Sequence, residues 1–260
     1  MKLKLFILTV FAAIQAQAVS PQYVSYLNYE TNWSAYQAFK SLSPNTNVPT
    51  QTFHGQWMQE QYALIQNLRS KEFSAANIAA SPATRLMQFK AQTRVSGSRA
   101  NQMLSDQFWS DENYQRVADV VISHQQGKTI LTYDLSIAEV SCELRQKIVN
   151  PGHPDWNDYQ ALALTVAPDS MQKKSLKKII VQACTNFSHL LTQNIQVNYL
   201  FQDTTPNTVY LVGYNQAFVK QTSIDKIKIA FLFKGVETGI ADEIFERFIK
   251  LETNLRNMLK

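Results

Sequence analysis

The densest grouping of residues able to do chemistry is His153-Pro154-Asp155-Trp156-Asn157-Asp158, an imidazole and two carboxylates within six positions. Such a set could ligate a metal or share a proton in a hydrolytic site. A plainer role competes with that one. Pro151-Gly152 breaks the preceding element, Asp155 stands where a helix N-cap is expected, and Asp158 falls in the first turn, where negative charge is favourable. Capping is the stronger expectation, and His153, Asp155 and Asp158 are the candidate catalytic residues if there is catalysis. The four histidines, His54, His124, His153 and His189, lie at least 29 residues apart and none belongs to an HExxH pair, so no metal or cofactor is expected.

Cys142 and Cys184 are the only thiols. An even cysteine count in an exported chain points to a bridge between them. Closing their 42-residue separation would stabilise the fold by about 4 kcal/mol in the chain-entropy model. A catalytic Cys184 with His189 is disfavoured, because an offset of five on a helix turns the two side chains apart. Two Ser-x-x-Lys strings, Ser170 to Lys173 and Ser175 to Lys178, lack the companion Ser-Asp-Asn and Lys-Thr-Gly elements, and no Gly-x-Ser-x-Gly elbow occurs. Lys173, Lys174, Lys177 and Lys178 are expected on one side of a helix, either as a solvated face or as a patch for an anionic partner. Tyr23, Tyr26, Tyr29, Trp33, Tyr36 and Phe39 form an aromatic stripe at helical intervals. It suits a helical core, or a contact face for a sugar, peptide or partner helix.

The elements that must position these residues are read from periodicity. Helices are expected over Pro21 to Ser41, Gln56 to Leu68, Phe73 to Ala80 and Ala83 to Val95, and after Ser98 with Met103, Leu104 and Phe108 buried. Residues 19–110 are therefore expected to be a helical region, and 111–260 an α+β region, either separate from it or one continuous domain with it. In the second region Thr129 to Ile137 alternates as a strand, and Tyr114 to Ser123 reads as helix or strand, with Val120-Val121-Ile122 favouring strand. Glu139 to Val149 is expected to be a helix. A second begins near Asp169, with Leu176, Ile179, Ile180, Ala183, Phe187, Leu190 and Leu191 as its stripe. Ile195 to Phe201 and Thr208 to Gly213 form a hairpin candidate, Ile227 to Phe233 a further strand, and Ile240 to Leu259 a closing helix. The fold class expected is α+β: a helical N-terminal half, then a small antiparallel sheet packed by helices.

Composition bounds the function. Of 260 residues only seven are glycine, at 55, 97, 127, 152, 213, 235 and 239, too scattered for a dinucleotide fingerprint or a P-loop. Residues 1–18 have the form of a secretory signal: Lys2 and Lys4, an apolar run from Leu5 to Ile14, and a cleavage site at Ala16-Gln17-Ala18. Cleavage after Ala18 would leave 23 basic against 20 acidic residues, too even a balance to call for nucleic acid. The 25 Gln and 17 Asn are then expected to supply much of the polar surface. No later segment reaches eighteen apolar residues, so the mature chain is expected in the periplasm or outside the cell. The leading expectation is an exported, disulfide-bonded protein that binds another protein or an envelope component. A hydrolase with a site assembled from distant residues is the alternative, and a carrier of an apolar ligand the third.

Overall fold

A computed structural model of the chain describes residues 68–79, 83–135, 138–167, 171, 173–220, 250–251, 253–255 and 257–259. The signal segment 1–18, the aromatic stripe from Tyr23 to Phe39 and the strand expected at 227–233 lie outside these residues. Seven strands, β1 (Ala83–Ser96), β2 (Val121–Gln125), β3 (Lys128–Leu135), β4 (Ala138–Val149), β5 (Ser175–Thr185), β6 (Leu191–Gln202) and β7 (Thr208–Lys220), make one antiparallel sheet. Their order is β1-β7-β6-β5-β4-β3-β2, a meander from β2 to β7 with β1 laid against its far side. The sheet curls into a half-barrel with few helices among the described residues.

This corrects the expected fold class. The chain is mostly sheet among the described residues, and the N-terminal half is not helical throughout, because Ala83–Ser96 is a fourteen-residue strand paired with β7 along its length. Glu139 to Val149 lies in a strand as well, and the stripe from Leu176 to Leu191 divides between β5, which holds Leu176, Ile179, Ile180 and Ala183, the connection 186–190 with Phe187 and Leu190, and the first residue of β6. The physical reason is visible in β5. Its Ile179-Ile180-Val181 run is buried on both faces of the sheet, and such a run satisfies a helical stripe and a strand equally well until its partners are known. The hairpin expected at 195–213 is present as β6 and β7, and the strand at 129–137 as β3. Tyr114 to Ser123 divides between both alternatives: helix α2 (Asp111–Ala118, after α1 at Ala75–Ala79) is followed directly by β2. Gln126 and Gly127, at φ of 51° and 75°, supply the left-handed pair that the two-residue β2–β3 turn requires.

Each sheet face carries its own apolar core, since alternate residues of a strand point to opposite sides. On the front, Val140, Cys142, Leu144, Ile180, Cys184, Leu200, Val209 and Leu211 pack against Met103, Phe108, Trp109, Tyr114 and Val117. Those five come from two 3-10 turns (Ala100–Leu104 and Gln107–Trp109) and from α2. Leu255 and Leu259, from the helical residues 250–251, 253–255 and 257–259, close the same side. On the back, Ile179, Val181, Ile195, Val197, Tyr199, Val212 and Tyr214 pack against Leu68, Phe73 and helix α3 (Trp156–Val166), which brings Tyr159, Leu162 and Ala163. Gln193 pins residues 68–79 to this face, accepting from Arg69 Nη2 at 3.0 Å and donating to the Asn77 carbonyl at 2.8 Å. No helix among the described residues is long and apolar enough to cross a membrane.

Candidate functional site

The front face is apolar at its margins and amidic at its centre. Strand register sets Gln146 of β4 opposite Gln182 of β5, Gln182 opposite Gln196 of β6, and Gln196 opposite Asn215 of β7. Four amides thus cross four adjacent strands in a row of roughly 14 Å at the usual strand spacing. Along β6, Asn194, Gln196 and Asn198 share the same face and form a column of roughly 13 Å. Row and column meet at Gln196.

The two halves of this cross differ. In one, Gln182 Nε2 donates to Gln146 Oε1 at 2.7 Å, Gln146 Nε2 to the Trp109 carbonyl at 2.8 Å, and the Tyr114 hydroxyl to Gln182 Oε1 at 3.0 Å. Those bonds latch the second 3-10 turn and α2 onto the sheet. In the other half, Gln196 Nε2 donates to Asn198 Oδ1 at 3.2 Å, while the buried Asn194 Oδ1 accepts no hydrogen bond. A buried amide oxygen left without a donor costs about 1–3 kcal/mol. Gln146, Asn194, Gln196 and Asn215 are half-buried although their strands are interior to the sheet, whereas Ile180, Cys184, Leu200 and Leu211 around them are buried. Water therefore reaches the middle of the front face. Beside Asn198 the β7 partner is Gly213, which places no side chain there. Among the described residues the cation at this margin is Lys178, and Asp106 is ion-paired to it. That lysine and an amide of Asn150 hold the Asp106 carboxyl below the usual carboxylate range.

The sequence-derived candidates lie elsewhere. Asp155 does occupy the N-cap position of α3 and Asp158 its first turn, as expected, but Asp155 makes no side-chain cap. Its carboxylate receives Lys147 Nζ at 2.9 Å and Lys71 Nζ at 3.0 Å, and these bonds hold its pKa at about 2. Asp158 pairs with Lys71, and His153 Nδ1 accepts the Asp155 backbone N–H at 3.0 Å. The set therefore ties α3 to residue 71 and to β4. Lys147 also reaches Glu72 at 2.6 Å, and the buried Glu72 carboxylate takes the Tyr159 hydroxyl. Tyr199 and Tyr214 stand with Tyr159 in the same buried layer, and the Tyr199 hydroxyl makes no hydrogen bond. Among the described residues no group of three or more His, Cys, Asp or Glu side chains is placed to hold a metal.

The four lysines do not share a helix face, which corrects the expectation built on a helix at 169–191. Lys173 and Lys174 precede β5, and Lys177 and Lys178 lie on it at a register shift. Lys178 is buried against Asp106, and Lys174 pairs with Asp203 at 2.9 Å with its ammonium 4.4 Å from the Tyr210 ring centre, leaving Lys173 and Lys177 exposed. Cys142 and Cys184 are both buried free thiols on the front face, one rung apart, since Cys184 pairs with Leu144. Contact with Cys142, and burial, push the Cys184 thiol well up. The contact face of Tyr23, Tyr26, Tyr29, Trp33 and Tyr36 lies outside the described residues.

Sequence reasoning missed the amide cross. One signal was present: Asn194, Gln196 and Asn198 alternate with Ile195, Val197 and Tyr199, although such alternation ordinarily assigns the amides to solvent. Gln146 and Gln182 sat in segments read as helices, where strand parity has no meaning.

No family model matches the chain, and no curated protein matches it. Solved structures similar to it include a START superfamily protein from Mycobacterium smegmatis, at 10% identity and TM-score 0.39, covering 66% of this chain and 96% of that one. The Zhui aromatase/cyclase from Streptomyces sp. R1128 is similar at 9% identity and TM-score 0.41, over 67% and 93% of the two chains. Major latex-like protein 151 from Panax ginseng is similar at 7% identity and TM-score 0.36, over 67% and 97%. At such distances what this chain does has to come from its own side chains.

Proposed function

We propose that this chain is a carrier of a largely apolar small molecule, held on the front face between the sheet and the segments 100–118 and 250–259. One observation carries this reading: Gln196, where row and column meet, stays half-buried on an interior strand with Gln146, Asn194 and Asn215, while Gln182 and Asn198 beside it and the apolar residues around them are buried. A packed core excludes water at its centre, whereas a ligand-binding recess is apolar, with a few placed polar groups. The back face, where the rungs are filled by Ile195, Val197 and Tyr199, shows the packed alternative within the same sheet. The proposal includes export, supported by the form of residues 1–18, and a Cys142–Cys184 bridge, supported by the placement of both thiols on one face.

The test is titration of the full chain with the neutral dye N-phenyl-1-naphthylamine. Saturable one-to-one binding is expected, with energy transfer from tryptophan in which Trp109, whose carbonyl is bonded to Gln146, is the main donor, and a clear fall in that transfer in Trp109→Phe. Absence of saturable binding, or transfer unchanged in the variant, overturns the carrier reading.

A further inference from the structure

Resting on that carrier reading, we propose that the ligand is uncharged and bears a hydroxyl or N–H group that docks on the open half of the amide cross, at Asn194, Gln196 and Asn198. The latched half is not available to it, because Gln146 and Gln182 are engaged by the Trp109 carbonyl and the Tyr114 hydroxyl. The open half has one internal bond, from Gln196 to Asn198, and one buried acceptor, Asn194 Oδ1, with nothing donating to it. An acceptor in that state calls for a donor from the ligand. The Asn198 amide nitrogen and the Asn215 side chain supply donors in return, so a hydroxyl, which both gives and takes, suits the set better than a group that only accepts.

Charge is selected against on the same surface. Asn194, Gln196, Asn198 and Asn215 are all neutral, and Lys178, opposite Leu200 at the margin, is ion-paired to Asp106. A carboxylate or ammonium moved onto this floor would lose hydration with no opposite charge among the described residues free to receive it. The ligand body is assigned to the place over Gly213, which carries no side chain. Gly213 stands opposite Asn198 on one side and Ala91 on the other, so two adjacent positions in that rung are a glycine and an alanine. Glycine inside a strand is a common mark of close approach by another group.

The experiment compares naphthalene, 2-naphthol and 2-naphthoate as competitors of N-phenyl-1-naphthylamine on the full chain and its variants. In the wild type 2-naphthol is expected to bind about tenfold more tightly than naphthalene, the value of one buried hydrogen bond that also relieves an unpaired acceptor, and 2-naphthoate most weakly. In Asn194→Leu/Asn198→Leu the preference for the alcohol is expected to fall below about threefold, each competitor being referred to the dye affinity measured for that variant. Asn198→Asp, which keeps the shape and adds a charge, checks the same point should the double variant fold poorly, and is expected to weaken naphthalene and 2-naphthoate more than 2-naphthol. Gly213→Leu is expected to weaken all three together. Equal binding of naphthalene and 2-naphthol by the wild type, a preference that survives in the double leucine variant, or a preference that does not rise in Asn198→Asp, overturns this inference while dye binding leaves the carrier reading standing. Failure of the dye itself to bind overturns both.

Discussion

Replacing Asp155 with Asn removes a carboxylate that receives Lys147 Nζ at 2.9 Å and Lys71 Nζ at 3.0 Å. Hydrogen bonds from Lys147 first and Lys71 second bring its pKa from an ordinary 3.8 to about 2. The side chain is 24% exposed, so solvent screens it less than a fully exposed pair. A displacement of that size corresponds to about 2 kcal/mol of stability at neutral pH. Because the folded pKa is depressed, this contribution is complete above the unfolded value near 3.8 and is lost as pH falls through about 2. Lys147 keeps Glu72 and Lys71 keeps Asp158, so the substitution strands neither cation. Urea unfolding of the wild type and Asp155→Asn should differ by about 2 kcal/mol at pH 7, by about 1 at pH 3, and by a few tenths at pH 2. A difference of the same size at pH 7 and pH 2 would refute the ion-pair account, because a structural effect of Asn does not titrate; no difference at pH 7 would refute it as well.

Tyr114→Phe leaves Gln182 Oε1 without the hydroxyl 3.0 Å away and should lower stability by about 1–3 kcal/mol in urea unfolding; an unchanged midpoint would dismiss the latch between α2 and the sheet. Leu255→Ala empties a position with 0% exposure in the front core and should cost about 2–5 kcal/mol, checked by the same measurement; a cost under ~0.5 kcal/mol would mean that the C-terminal helix does not close that core. Protein recovered from an exporting host should begin at Val19 on N-terminal sequencing and take up no alkylating reagent under denaturing, non-reducing conditions. An uncleaved start would refute export, and two alkylated cysteines would refute the bridge.

How much of this was legible before the structure depends on where each signal is local. The β2–β3 turn, β3 and the β6–β7 hairpin were legible because alternation and a turn lie close together in sequence. β1 was not. Ala, Leu, Met, Gln, Lys and Arg, all good helix formers, make up nine of the fourteen residues of Ala83–Ser96, and what makes it a strand is pairing with Thr208–Lys220, more than a hundred residues later. β4 shows the opposite failure, since Val140, Cys142, Leu144 and Ile148 alternate with Glu139, Ser141, Glu143 and Lys147 in a period-2 pattern that was open to view. Asp155 and Asp158 were placed correctly along α3, but their partners Lys71 and Lys147 come from other elements. The candidate site was the least legible part. An amide is neutral in every composition count, and only register reveals that Gln146, Gln182, Gln196 and Asn215 stand in one row.

The tyrosines of the back face set a limit that the acid-side groups do not. Burial, with the Glu72 carboxylate as a second cause at Tyr159, raises the phenols of Tyr159, Tyr199 and Tyr214 above their ordinary 10. The stability each contributes is complete below pH 10 and drains away as pH rises, because the unfolded chain can ionise these phenols and the folded one resists. In an alkaline titration followed by phenolate absorbance, these three chromophores should therefore stay silent until the sheet opens and then appear together with the loss of β-structure. The protein carries its own optical reporter of unfolding, on the face opposite the one proposed to hold the ligand.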